Sequence, residues 1–99
     1  MHNIIFDWDA NKNRINIRRH GISFYEAVSA FSDENAVLIA DEEHSEEEDR
    51  FVLLGLSEKA RLLVVCHCYR ESDLVIRIIS ARKATKPEWI QYGGELYEG

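Results

Sequence analysis

Two short connections fix most of what this chain can become. Ser57-Glu58-Lys59-Ala60 and Glu71-Ser72-Asp73 are all that separate three strand-length apolar runs, at 50–56, 62–69 and 74–81. Connections this short cannot hold a crossover, which takes about a dozen residues or more, so neighbouring runs pair antiparallel. Ala36-Val37-Leu38-Ile39-Ala40 is a further apolar strand, joined to the meander by an acidic loop over 41–49. The last two long strands are rich in Val, Ile and Leu on both faces, which places them inside the sheet.

The first third of the chain follows a helical grammar. Ile4-Ile5-Phe6 reads as a short strand. Asp9 suits an N-cap, because its carboxylate can accept from orphan backbone N–H groups. The segment that follows, about 10–20, is polar and carries Lys12, Arg14, Arg18 and Arg19 before Gly21 stops it. Ser23 and Glu26 form a capping-box pattern, and Phe24, Ala27, Val28 and Phe31 give the i, i+3, i+4, i+7 spacing of a helix over 24–32 buried on one side. At the other end Thr85 is an N-cap and Pro87 fits a first turn. The helix runs to about Tyr92, before Gly93-Gly94. The order β-α-α-β-β-β-β-α, with segregated helices and a meander, is an α+β fold in a single domain over 1–99.

No apolar run approaches the roughly 20 residues that cross a bilayer, and the N-terminus lacks the basic start of a signal peptide. The expected setting is cytoplasmic, with Cys66 and Cys68 as reduced thiols. The net charge of −6 is unevenly spread. Residues 33–49 hold nine Asp and Glu and no Lys or Arg, which leaves +3 on the remainder. A small basic footprint is therefore compatible with an acidic chain, with the acidic segment either turned away as a solvated turn or facing a basic partner.

The strand at 74–81 starts apolar and ends basic, with Arg77, Arg82 and Lys83. Three cations there suit a phosphate. Strict alternation puts Arg77, Ile79 and Ala81 on one face and Ile78, Ser80 and Arg82 on the other, so Arg77 and Arg82 diverge. If Arg77 pairs near His67 or Tyr69, one sheet face carries Arg, His and Tyr, a set able to bind and cleave a phosphodiester. The alternative is a rim salt bridge from Arg77 to a carboxylate. His20, before Gly21, is either a general acid or a helix-end histidine bonding free carbonyls. Cys66-His67-Cys68 is poorly spaced for zinc, since a strand sends the histidine to the opposite face. No metal site is expected, and the nucleotide-binding glycine pattern, G-x-S-x-G and H-E-x-x-H are all absent from the sequence.

The chain resembles the BrnT ribonuclease toxins of type II toxin–antitoxin systems. The resemblance runs over nearly all of 4–92. It rests on Phe6-Asp7-Trp8-Asp9, Lys12, Asn16, Arg19-His20-Gly21-Ile22-Ser23-Phe24 with Glu26-Ala27, Glu48, Arg50 and Gly55. It ends with Arg77-Ile78-Ile79-Ser80-Ala81-Arg82-Lys83-Ala84, Glu88 and Tyr92. It implies a RelE-like fold, an N-terminal helical pair packed on an antiparallel sheet with a C-terminal helix. It also implies metal-independent endoribonuclease activity that inhibits translation, with no cofactor. The implied partner is a BrnA-type ribbon-helix-helix antitoxin, whose complex represses its operon, so operator DNA is met only through the antitoxin.

Metal-free RNA cleavage uses the 2′-hydroxyl as nucleophile. The protein must supply a base, an acid and cations for the developing phosphate charge. On this resemblance Arg50, Arg77 and Arg82 are the candidate phosphate stabilisers, and His20 and Tyr92 the candidates for proton transfer or base stacking. Lys12, Arg19 and Lys83 are candidate RNA contacts. Family members commonly carry basic residues just after the position of Glu88, where Trp89-Ile90-Gln91 stand here. That departure, with the heavy acidic loop, keeps open a catalytically inactive homologue that acts as a binding module in the antitoxin complex.

Overall fold

In the computed structural model, residues 4–41 and 49–93 are described below. Most of the expected acidic loop, Glu48 included, lies outside the described residues, as does Gly94. The chain forms β1 (Ile5–Asp7), α1 (Ala10–His20), α2 (Phe24–Ser29), a short 3-10 turn (Ala30–Ser32), β2 (Val37–Ala40), β3 (Arg50–Leu56), β4 (Leu62–Arg70), β5 (Val75–Lys83) and α3 (Lys86–Gln91). The strands make one sheet in the order β1-β5-β4-β3-β2. The meander β2 to β5 is antiparallel throughout, as the short connections require.

The sheet departs from the expected antiparallel arrangement at one edge, where β1 pairs parallel to β5 (Ile5 opposite Val75, Asp7 opposite Arg77). Two helices and three strands separate β1 from β5 in sequence, so no short connection constrains its direction.

Helices cover both faces. α1 and α2 lie over a core of Phe24, Ala27, Leu53, Leu63, Val65, Ile76, Ile78 and Ala81. α3 lies on the opposite face, where Trp89 and Tyr92 pack on Leu54, Leu62 and Val64. Gly55 is needed where the 3-10 turn crosses β3: a Cβ there would stand 2.8 Å from the Ala30 carbonyl oxygen. The 71–73 connection is tight as expected, with all three residues left-handed (φ 50°, 57° and 70°).

The helix caps follow the sequence in most respects. Asp9 accepts from the N–H groups of Asn11 and Lys12, and Gly21 closes α1 at φ 73°. Thr85 and Glu88 make a complete capping box. At α2 only half of the box forms. Ser23 accepts from the Glu26 amide at 3.0 Å, but the Glu26 side chain turns away to Ser57 and Arg61. A buried carboxylate gains more from a guanidinium than from a backbone amide.

Asn16 is the one buried residue of α1. Its amide donates to the Ala81 and Ile22 carbonyls, both at 2.8 Å, and accepts from the Ala81 amide at 3.1 Å. Asn16→Ala leaves three buried backbone groups without partners. The expected cost is about 3 kcal/mol of unfolding free energy, read by urea denaturation. A variant within about 0.5 kcal/mol of wild type would show that water replaces the amide.

Candidate active site

One feature of β5 decides which arginines meet. Cys66 lies opposite Ser80, but His67 lies opposite Ile78, so Ile79 is an extra residue, a β-bulge. An inserted residue reverses the alternation beyond it. The expectation that Arg77 and Arg82 diverge is therefore corrected. Arg77 stands opposite Cys68 and Arg82 opposite Val64, two positions on the same face of β4. Arg50 also stands opposite Cys68, from β3. Arg50, Arg77 and Arg82 thus share one sheet face, the face on which α3 packs.

That face is organised in rows across the strands. The first is Asp7, Arg77, Cys68, Arg50; the second is Ser80, Cys66, Val52, Ile39; the third is Arg82, Val64, Leu54, Val37. α3 covers the third row. Arg50 and Arg77 are separated by β4, so their Cα atoms are about 10 Å apart, two strand spacings. Arg82 lies about 13 Å further along, four residues of extended chain.

The possible grouping of Arg77 with His67 or Tyr69 does not occur, because Arg77 pairs with Cys68 and those two side chains face the helices. His67 is fully buried, with Phe31 and Tyr69 ring centroids at 4.9 and 5.3 Å. Burial depresses its pKa, and its Nδ1 lies 3.0 Å from the Val65 carbonyl. It is a core residue.

Arg77 and Arg82 each meet a carboxylate. Arg77 lies 3.5 Å from Asp7, the rim salt bridge foreseen as the alternative. Arg82 makes a two-pronged pair with Glu88, both bonds at 2.8 Å. Glu88 also accepts from the Thr85 amide, so one carboxylate caps α3 and clamps Arg82. Sequence reasoning missed Asp7 as Arg77's partner and Glu88 as Arg82's. The Thr85–Glu88 capping spacing was the available signal for Glu88.

The other candidates scatter. Lys12 is exposed on the first turns of α1, and both it and Arg77 act on the Asp9 carboxylate, so it belongs to the Arg77 end. Arg19 and His20 are exposed at the far end of that helix, about 12 Å away at 1.5 Å per residue. Lys83 sits with Arg61 and Trp89 around a hollow of about 350 Å³ at the strand end. Tyr92 closes α3 and donates its hydroxyl to Asp33 at 2.6 Å. That bond pushes its pKa up to about 12. Asp33 also accepts from the Leu56 and Asn35 amides, and these bonds outweigh its burial and lower its pKa. Tyr92 thus tethers α3 to the end of the 3-10 turn that follows α2.

Among the described residues no group of three or more His, Cys, Asp or Glu is placed to hold a metal ion. No helix among them is long and apolar enough to cross a membrane.

The molecule is a small α+β domain with three arginines on one sheet face, and comparison with known proteins gives its class. The family model "Ribonuclease toxin, BrnT, of type II toxin-antitoxin system" matches residues 8–88. The crystal structure of the Brucella abortus ribonuclease toxin, BrnT, is similar with a TM-score of 0.61. At 22% identity it covers 87% of this chain and 100% of that one, which establishes a shared fold. A search of curated proteins found no match. The chain belongs to the BrnT family of ribonuclease toxins of type II toxin–antitoxin systems. An antitoxin partner follows from that membership.

Glu88 gives the site a measurable acid limb. Its pairing with Arg82 lowers its pKa to about 2, from 4.5. A depressed carboxylate stabilises the folded state above its unfolded pKa. That contribution falls away as pH drops from about 4.5 through about 2. In a Trp8→Phe background, Trp89 fluorescence is expected to report α3 loosening in that window, and Glu88→Gln to flatten the response.

Proposed function

We propose that this chain is an endoribonuclease that cleaves RNA without a metal ion on the sheet face that carries α3. In this reading Arg50 and Arg77 grip the scissile phosphate. The observation that carries it is the row that seats both guanidinium-bearing residues on one sheet face, across Cys68. A span of about 10 Å lets two long side chains converge on one phosphodiester. Each planar fork binds two oxygens and meets the charge that builds as the 2′-hydroxyl attacks.

Asp7 is the positioning residue for Arg77, and its carboxylate takes the 2′-hydroxyl proton as the 2′-oxygen bonds to phosphorus, while solvent water protonates the 5′-oxygen that leaves. Lys12 contacts the chain next to the scissile phosphate. Arg82 is held ready by Glu88 for a neighbouring phosphate. Arg19, His20 and Lys83 contact flanking RNA further off. Tyr92 offers no base at neutral pH, because its proton is shared with a carboxylate and its pKa is pushed up to about 12. The antitoxin is of the BrnA ribbon-helix-helix type in this reading, and it brings operator DNA to the complex. Cleavage of messenger RNA is the route to translation arrest.

One observation favours a second reading, an inactive homologue that serves as a binding module. Arg77 and Arg82 are both already paired with carboxylates in the free protein. The two readings separate in one experiment. Purified chain is incubated with RNA in excess chelator, beside Arg50→Ala, Arg77→Ala and Arg82→Ala. Cleavage by wild type is expected, lowered about a hundredfold by loss of Arg50 or Arg77 and about tenfold by loss of Arg82. RNA left intact by wild type, with an antitoxin complex still formed, selects the binding module. Equal cleavage by all four moves the site elsewhere.

A further inference from the structure

β2 ends the sheet, and nothing in the nuclease reading uses its outer edge. Asp41 donates its N–H to the Arg50 carbonyl at 2.8 Å, which makes that pair a hydrogen-bonded one. Alternation then makes Ile39 with Val52, and Val37 with Leu54, hydrogen-bonded pairs. The N–H and C=O groups of Leu38 and Ala40 therefore point outward. Among the described residues no strand covers them.

A hollow lies beside this edge on each face. On the α1–α2 face Leu38, Asp49, Phe51, Tyr69 and Asp73 surround about 490 Å³. On the α3 face Ile39, Val52, Leu54 and Val64 floor about 250 Å³, with Asp41 and Glu88 among its walls. Leu38 is 50% exposed. Both hollows combine an apolar floor with carboxylates.

We propose that β2 is completed by an extended segment of the antitoxin, one that alternates apolar side chains with Lys or Arg. A strand laid about 4.8 Å outside β2 takes up the Leu38 and Ala40 backbone groups. Its successive side chains point to opposite faces, over the two hollows. Asp41, Asp49 and Asp73 supply charge complementarity for its cations, and residues 33–49 carry only acidic charge in sequence. A second copy of this chain would bring like carboxylates together, and RNA phosphates would meet the same acidic rim. Leaving a short apolar edge unpaired invites aggregation, so a dedicated occupant also answers a hazard. The inference does not depend on RNA cleavage.

The probe is a short synthetic peptide of alternating Leu and Lys, added to the intact chain. Hydrogen exchange of the Leu38 and Ala40 amides is expected to slow in the complex. Methylating the peptide's alternate amide nitrogens on the pairing edge is expected to weaken binding about tenfold or more, and methylating the opposite edge to leave it unchanged. Ala40→Pro removes an outward N–H without touching the β2–β3 ladder, and is expected to weaken binding similarly. Binding indifferent to methylation, or without protection of those two amides, overturns the proposal. So does protection produced by single-stranded RNA, or by raising the concentration of the chain alone. The methylated peptides act on the wild-type protein, so they decide the matter even if Ala40→Pro does not fold.

Discussion

The pairing of Asn16 with Ala81 holds the two halves of this molecule in register. β1 reaches only Val75 to Arg77 on β5, so the rest of that strand would be a bare edge. α1 lies there instead. A side-chain amide presents a donor and an acceptor at the spacing of a peptide group, and Asn16 uses both on Ala81, as a neighbouring strand residue would. Its second N–H fixes the Ile22 carbonyl, at the turn that leads into α2. That places Phe24 in the core and Glu26 against Ser57 and Arg61, at the far turn of the meander. Glu26 is buried, yet Arg61 holds its pKa down, so it enters the core as a paired anion. From Ala81 to the 57–61 turn, polar contacts run through Asn16, Ile22 and Glu26 along one side of the core.

The bulge at Ile79 decides which face of the sheet carries the arginines. A regular strand would have sent Arg77 and Arg82 to opposite faces and split the cations between the helix packing and the open surface. With one residue inserted, Ile76, Ile78 and Ala81 all face the α1–α2 core, while Arg77 and Arg82 face the other way. The insertion lies between the β1-paired part of β5 and the part that Asn16 holds. Two different neighbours fix the two segments, and the bulge absorbs the offset between them.

Much of this architecture is legible in the residues themselves. The short connections at 57–60 and 71–73 force the meander, and Asp9, Gly21 and Thr85 mark helix ends where they occur. The candidate site is less legible, for identifiable reasons. A bulge leaves no mark in a run as uniformly apolar and basic as 75–83, because Ile79 looks like any other strand residue. Partner choice is equally hidden. Arg77 takes Asp7 from a strand at the other end of the sequence, and Tyr92 takes Asp33 across 59 positions. Glu26 shows the reverse case: its capping spacing is real, but a guanidinium reached through the fold outcompetes the local amide.

The sheet ends in β1 on one side and β2 on the other, and the groups beside these two edges differ. The β5 edge is closed by β1 and by the polar face of α1, and it stands next to the arginine row. Among the described residues no strand covers the β2 edge, and carboxylates flank it. The arginine row runs from Asp7 on β1 to Arg50 on β3, the strand beside β2, so guanidinium groups and carboxylates meet near that edge. The hollow on the α3 face joins the two regions, because Glu88 lines it while clamping Arg82. Any cation that settles there competes with Arg82 for the same carboxylate, and any phosphate at Arg82 competes with Glu88 for the same guanidinium. Through that single ion pair, a cation in the hollow and an anion at Arg82 would each act on the other's partner.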